Sequence, residues 1–161
     1  MAISLDNLTE YLDSQDWNYT VHEEKNYISL RMNMKTVDSC SLILDVIDDT
    51  TVLFYTVFPI KIPEERRAAV AEFLCRANYG LYHGNFEIDF RDGEIRYKTT
   101  GMTTEAEELD EEVIGRLVNL GFAMTDRYAP GILSVLYAND EPENAIARIE
   151  NRKKDDEEQD S

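Results

Sequence analysis

Between Asn18 and Phe58 the chain changes register every second residue, and no other feature restricts its fold so strongly. Ile28, Leu30, Met32 and Met34 alternate with Tyr27, Ser29, Arg31 and Asn33. One face is apolar and the other largely polar, which describes an antiparallel strand covered on a single side. A short strand, Tyr19–His22, precedes it. Two more are expected over residues 39–47 and 51–58, joined by the turn-prone pair Asp48-Asp49. Both are apolar at nearly every position, which places them near the sheet centre. Residues 84–100 predict a hairpin turning at Asp92-Gly93. In it Phe86, Ile88 and Phe90 face one way over a helix, with Ile95 and Tyr97 on the return strand.

Helical periodicity fills the rest. A helix over about 5–16 is capped by Ser4, carries Leu5, Leu8 and Leu12 on one stripe, and ends at Trp17. A second opens at Pro63, presents Val70, Phe73, Leu74 and Ala77 to the core, and stops at Asn78 and Gly80, residues that tolerate a left-handed turn. A third is expected to start at Thr104, paired with Glu107 as a capping box. Its stripe is Leu109, Val113, Leu117, Leu120 and Met124, with Gly121 a point of bending. The apolar segment around Pro130-Gly131 predicts a separate helix after a kink. A last start signal combines Asp140, Pro142 and Glu143. Strand groups separated by single helices give an α+β class, an antiparallel twisted sheet with helices on its apolar face. One domain spans 1–151, and 152–161 is a charged tail expected to be disordered.

The balance of 33 acidic against 16 basic residues, a net charge of −17, opposes binding to nucleic-acid phosphates or to anionic membrane surfaces. It admits a basic protein partner. The N-terminal residues lack a secretory pattern and no apolar run reaches membrane-span length, so the protein is expected in the cytoplasm. Cys40 and Cys75 are expected as reduced, partly buried thiols.

No chemistry-bearing motif emerges. His22 and His83 sit in no zinc pattern. Cys75 and His83 flank the end of the second helix, but nothing supplies an orienting third group. The acids of residues 105–113 diverge around a helix, and Asp45, Asp48 and Asp49 lack calcium-loop spacing. There is no phosphate-cradling glycine loop. No catalytic, cofactor or metal residue is expected, and the nine tyrosines are expected in core or rim roles.

Residues 66–100 combine an Arg-rich helix start, Asn78 at the helix end, the strand Gly84–Asp89 and the turn at Gly93. Together Asn78, Gly84, Phe86, Asp89 and Gly93 resemble the YbjN family, bacterial proteins often labelled sensory transduction regulators and similar in fold to type III secretion chaperones. The likeness extends, more loosely, over about 1–138. It implies an α-β-β-β-α-β-β-α arrangement, often a homodimer, and a binding role toward an unknown protein partner, chaperone-like or regulatory, rather than turnover. An alternative is an acidic regulator that captures a basic protein by mimicking nucleic acid. The outer face of the hairpin, Glu87, Asp89, Arg91, Glu94, Arg96 and Lys98, is a candidate contact surface.

Overall fold

A computed structural model describes the main chain of residues 2–159, with side chains through residue 151. The elements in order are α1 (Leu5–Ser14), β1 (Thr20–His22), a single 3-10 turn at Glu23–Lys25, β2 (Tyr27–Asn33), β3 (Ser39–Asp48), β4 (Thr51–Val57), α2 (Glu64–Asn78), β5 (Asn85–Ile88), β6 (Ile95–Met102), α3 (Glu111–Tyr137) and α4 (Pro142–Gln159). The strands form one antiparallel sheet in the order β1-β2-β3-β4-β6-β5, with β3 and β4 central as their apolar sequences require. The class is α+β. The helical backbone of α4 runs into the expected tail, whose side chains lie outside the described residues.

Alternation sorts the sheet into two faces. Cys40, Leu42, Leu44 and Val46 of β3, Val52 and Phe54 of β4, and Ile95 and Tyr97 of β6 are buried under the helices. At the β1 end, Leu8, Tyr11 and Leu12 of α1 pack with Ile28, Leu42, Leu44 and Ile114. At the other end, Phe73 and Leu74 of α2, Tyr128 and Ile132 of α3, and Ala145 and Ile146 of α4 pack with Phe86 and Tyr97. The opposite sheet face, with Tyr27, Ile43, Tyr55 and Val57, is half-exposed and, among the described residues, carries no helix.

Several local expectations need correction. The cap of the third helix lies six residues after Thr104: Asp110 accepts from the Glu112 and Val113 amides at 2.8 and 3.3 Å, and the helix starts at Glu111. Pro130 does not break it: α3 is one helix of 27 residues, and the apolar segment expected as a separate helix is its C-terminal part. The face α3 buries is also different. Ile114, Val118, Gly121, Thr125, Tyr128, Ala129, Ile132 and Val135 meet the core, whereas Val113 is 40% exposed and Leu117, Leu120 and Met124 are only partly covered. Small residues explain this choice. A Cβ on Gly121 would lie 2.3 Å from Thr56 Oγ1 on the central strand β4. A helix face with glycine, threonine and alanine at its points of closest contact approaches the sheet that closely, and the leucine stripe is turned partly aside.

The hairpin is longer than a two-residue turn. Asp89 N–H donates to Glu94 O and Gly93 N–H to Asp89 O, leaving four residues at the tip, with Gly93 at φ +81°. Phe90 lies in that tip and is 58% exposed, so it does not cover α2 as Phe86 does. The helix α2 ends without a left-handed residue, since Tyr79 is right-handed and Gly80 has no positive φ. Asp140 does not cap α4. Its carboxylate accepts from the Ser134 hydroxyl at 2.6 Å and pairs with Arg148.

Candidate functional site: sheet edges and the flank of helix α3

The chemistry-bearing residues are dispersed. Cys75 is exposed on α2, in contrast to the partly buried thiol expected, and no hydrogen bond joins it to His83. Cys40 is buried, and burial first, with Asp126 nearby, pushes its thiol up to about 11. His22 stacks on Tyr27 with ring centroids 4.2 Å apart and bonds Ser29 Oγ at 2.9 Å. Among the described residues, no group of three His, Cys, Asp or Glu side chains is gathered as a metal site would need.

On the outer face of the hairpin the charges answer one another. Glu87 accepts from Arg96 Nε at 2.8 Å and from Lys98 Nζ at 2.9 Å. Partial burial works against the Glu87 carboxylate, but these two donors outweigh it and lower its pKa. Arg91 grips Asp89 through both carboxylate oxygens and, with its own main-chain amide, holds that carboxyl at about 2. Arg96 also lies over the Tyr55 ring, 4.1 Å from its centroid. A partner docking here would have to displace pairs that are already made, so this surface is a weaker candidate than sequence alone suggests.

The two sheet edges differ. At β5, Asn78 from the end of α2 behaves as a short extra strand: its Oδ1 accepts the Phe86 amide at 2.7 Å and its Nδ2 donates to Phe86 O at 2.9 Å. Arg67 donates to Phe90 O at 2.9 Å. Between these two latches, only Ile88 turns its main-chain groups away from β6. Sealing of this kind blocks edge-to-edge pairing.

The other edge is open for part of its length. Met34 N–H donates to Asp38 O and Val46 N–H to Asn26 O. These two bonds fix the phase of the β2–β3 ladder: even-numbered residues of β2 bond to β3, and odd-numbered ones point the other way. Tyr27 and Ser29 face His22 and Thr20 of β1. Arg31 and Asn33 have no strand beyond them, because β1 is only three residues long. Beside this gap lies a cleft of about 410 Å³ bordered by Tyr19, Tyr27, Arg31 and Ile43. The β2–β3 loop next to it is fastened to α3 by Asp126, whose carboxylate accepts the Lys35 and Thr36 amides at 3.2 and 3.1 Å. The alternating sequence marks β2 but does not show that β1 stops short of it. Neither Asn78 nor Asp126 announces its latch, since each acts across the fold.

The third surface is the flank that α3 leaves uncovered. Val113, Arg116, Leu117 and Leu120 line a groove of about 260 Å³ against His83 of the loop after α2. Tyr82 sets its ring edge-on to His83, with centroids 6.3 Å apart, and is 93% exposed.

The domain thus combines an uncovered sheet face, one sealed edge and one open edge, and among the described residues it gathers no metal-ligating cluster. The family model described as "YbjN: Putative bacterial sensory transduction regulator" matches residues 4–134, and the chain belongs to the YbjN family. A solved structure, "Crystal structure of YbjN, a putative transcription regulator from E. coli", aligns at a TM-score of 0.60 with 15% identity, over 78% of this chain and 88% of that one. That likeness concerns the fold. No curated protein matches the chain. No helix among the described residues is long and apolar enough to cross a membrane.

Proposed function

We propose that this protein is a non-enzymatic regulatory adaptor of the bacterial cytoplasm that holds an extended segment of another protein by strand addition at β2. The observation that carries this reading is the free edge at Arg31 and Asn33, where the ladder phase leaves main-chain donors and acceptors unmatched. An added strand would run on from β1 and place alternate side chains in the neighbouring cleft. The sealed β5 edge supports the reading, because it leaves β2 as the place for a specific strand. Membership of a family described as regulators agrees with it.

The test is Arg31→Pro. Proline removes an amide that points to solvent, which an edge strand tolerates, and it denies a partner that donor. Tagged native and variant chains are used for capture from the native lysate at low and high salt. A stoichiometric partner that survives high salt with the native chain and is lost with the variant supports strand addition. The same partner held equally by the variant refutes it. Basic proteins held only at low salt would instead favour the acidic-mimic alternative. Sedimentation of both chains tests the homodimer expected of the family.

A further inference from the structure

The flank of α3 presents a second surface, separate from the β2 edge. Val113, Leu117 and Leu120, with Arg116, follow helical spacing along one side of α3; Leu117 and Leu120 touch the core with part of their side chains and leave the rest, with all of Val113, to the groove. His83 forms the facing wall, and the exposed Tyr82 ring stands edge-on to it. The result is a largely apolar groove, open at the surface, with an exposed tyrosine beside its His83 wall.

Its electrostatic setting is one-sided. Glu105, Glu107, Glu108, Asp110 and Glu112 are all exposed in the segment that leads into α3 and in its first turn, just ahead of Val113. No basic residue occurs between Lys98 and Arg116. Among the described residues, Arg116 is the one Lys or Arg lining the groove. A second copy of this chain would bring the same acids against these, on top of a net charge of −17 each. Like-charged surfaces in that arrangement repel.

We propose that this groove docks a basic amphipathic helix of a partner protein. Its apolar residues, spaced i, i+3, i+4 and i+7, would lie along Val113, Leu117 and Leu120 in the helix-in-groove manner. Its Lys and Arg residues would meet the acidic start of α3, and one of them would gain the exposed face of Tyr82.

The experiment uses the full chain and three synthetic 18-residue peptides read by fluorescence anisotropy. One carries leucines on one helical face and lysines on the other. The second has the same composition in scrambled order. The third keeps the leucine pattern with glutamate in place of lysine. The amphipathic lysine peptide should bind at least tenfold more tightly than either control. The paired substitution Val113→Ser and Tyr82→Ser involves exposed side chains outside the core clusters, and it should weaken binding at least fivefold with an unchanged melting temperature. Glu108→Lys with Glu112→Lys should weaken binding and flatten its salt dependence. Equal affinity for the scrambled peptide would overturn the proposal by reducing the effect to net charge. Binding unaffected by the Val113 and Tyr82 pair would overturn it by moving the site elsewhere. A sedimenting dimer dissolved by that same pair would overturn it by making the groove a contact between copies.

Discussion

Replacing Asn78 with alanine isolates the latch on β5. The side chain makes two hydrogen bonds to one residue, accepting from the Phe86 amide at 2.7 Å and donating to its carbonyl at 2.9 Å. Both are part-buried, and no other partner is present for the Phe86 amide. At a net of roughly 0.5–1.5 kcal/mol for each bond, the loss is about 1–3 kcal/mol. For a domain of this size, 1 kcal/mol corresponds to about 2–4 °C in melting temperature, so a central loss of about 2 kcal/mol is a drop of about 4–8 °C. Urea unfolding should show a lower midpoint with an unchanged slope. Native-state hydrogen exchange reads the site itself: the Phe86 amide should lose protection that the Tyr97 amide keeps. Asn78→Asp should fall between, because it retains the acceptor for the Phe86 amide but sets a carboxylate against the Phe86 carbonyl. Stability within about 0.5 kcal/mol of native, with Phe86 still protected after Asn78→Ala, would refute the latch.

Gly93→Ala should destabilise strongly, by about 1–3 kcal/mol or more in urea unfolding, since φ is +81° and the new Cβ would sit 2.0 Å from Ile62 O. Asp110→Ala should cost about 0.5–2 kcal/mol by removing the α3 cap, and Asp110→Ser should recover most of it. With iodoacetamide at pH 8, exposed Cys75 should label rapidly in the native protein and buried Cys40 only on unfolding; equal rates would contradict the burial assignment. Asp89, held at about 2 in the folded chain, is depressed relative to the unfolded state, so its contribution to stability is present above the ordinary carboxylate pKa and fades as pH falls toward about 2. Carboxyl NMR titration should show that midpoint, and Arg91→Ala should raise it.

Strand positions were readable to within a residue or two, because the core side of β2 is a property of alternation and β3 and β4 stand out as apolar runs; which side of those two runs is buried appears only in the structure. Ser4 declared the start of α1 for a similar reason: a cap acts within three residues, and its Oγ does accept the Asn7 amide at 3.3 Å. The misreadings are of another kind. Thr104 and Glu107 have capping-box spacing, yet a turn forms there, with the Glu107 amide donating to Thr104 O, and Asp110 starts the helix. Two local signals competed within six residues, and tertiary packing of Leu109 and Ile114 favoured the later one. Pro130 reads as a break locally, but Ala129 and Gly131 on either side of it are buried in a helix held against the core. The candidate site was the least readable part, because a free edge is defined by which strand fails to arrive.

The misread stripe on α3 ties the fold to its proposed use. Hydrophobicity ranks Leu117 and Leu120 above Gly121 and Thr125 as core residues, and a single helix on a flat surface would obey that ranking. Here the helix also has to seat between α1, α2 and the sheet, where Gly115 meets Tyr11, Gly121 meets Thr56 and Gly131 meets Phe73. Close approach buries area on both partners at once, so a glycine that admits its neighbour contributes more than a leucine that holds it away. Thr125 adds no polar penalty, since its hydroxyl donates to Gly121 O at 2.7 Å. Once the small face is committed inward, the larger stripe has to emerge along the flank. A surplus of apolar residues at helical spacing, beyond what one buried face needs, is therefore the feature of this sequence that lines the groove proposed to dock a partner.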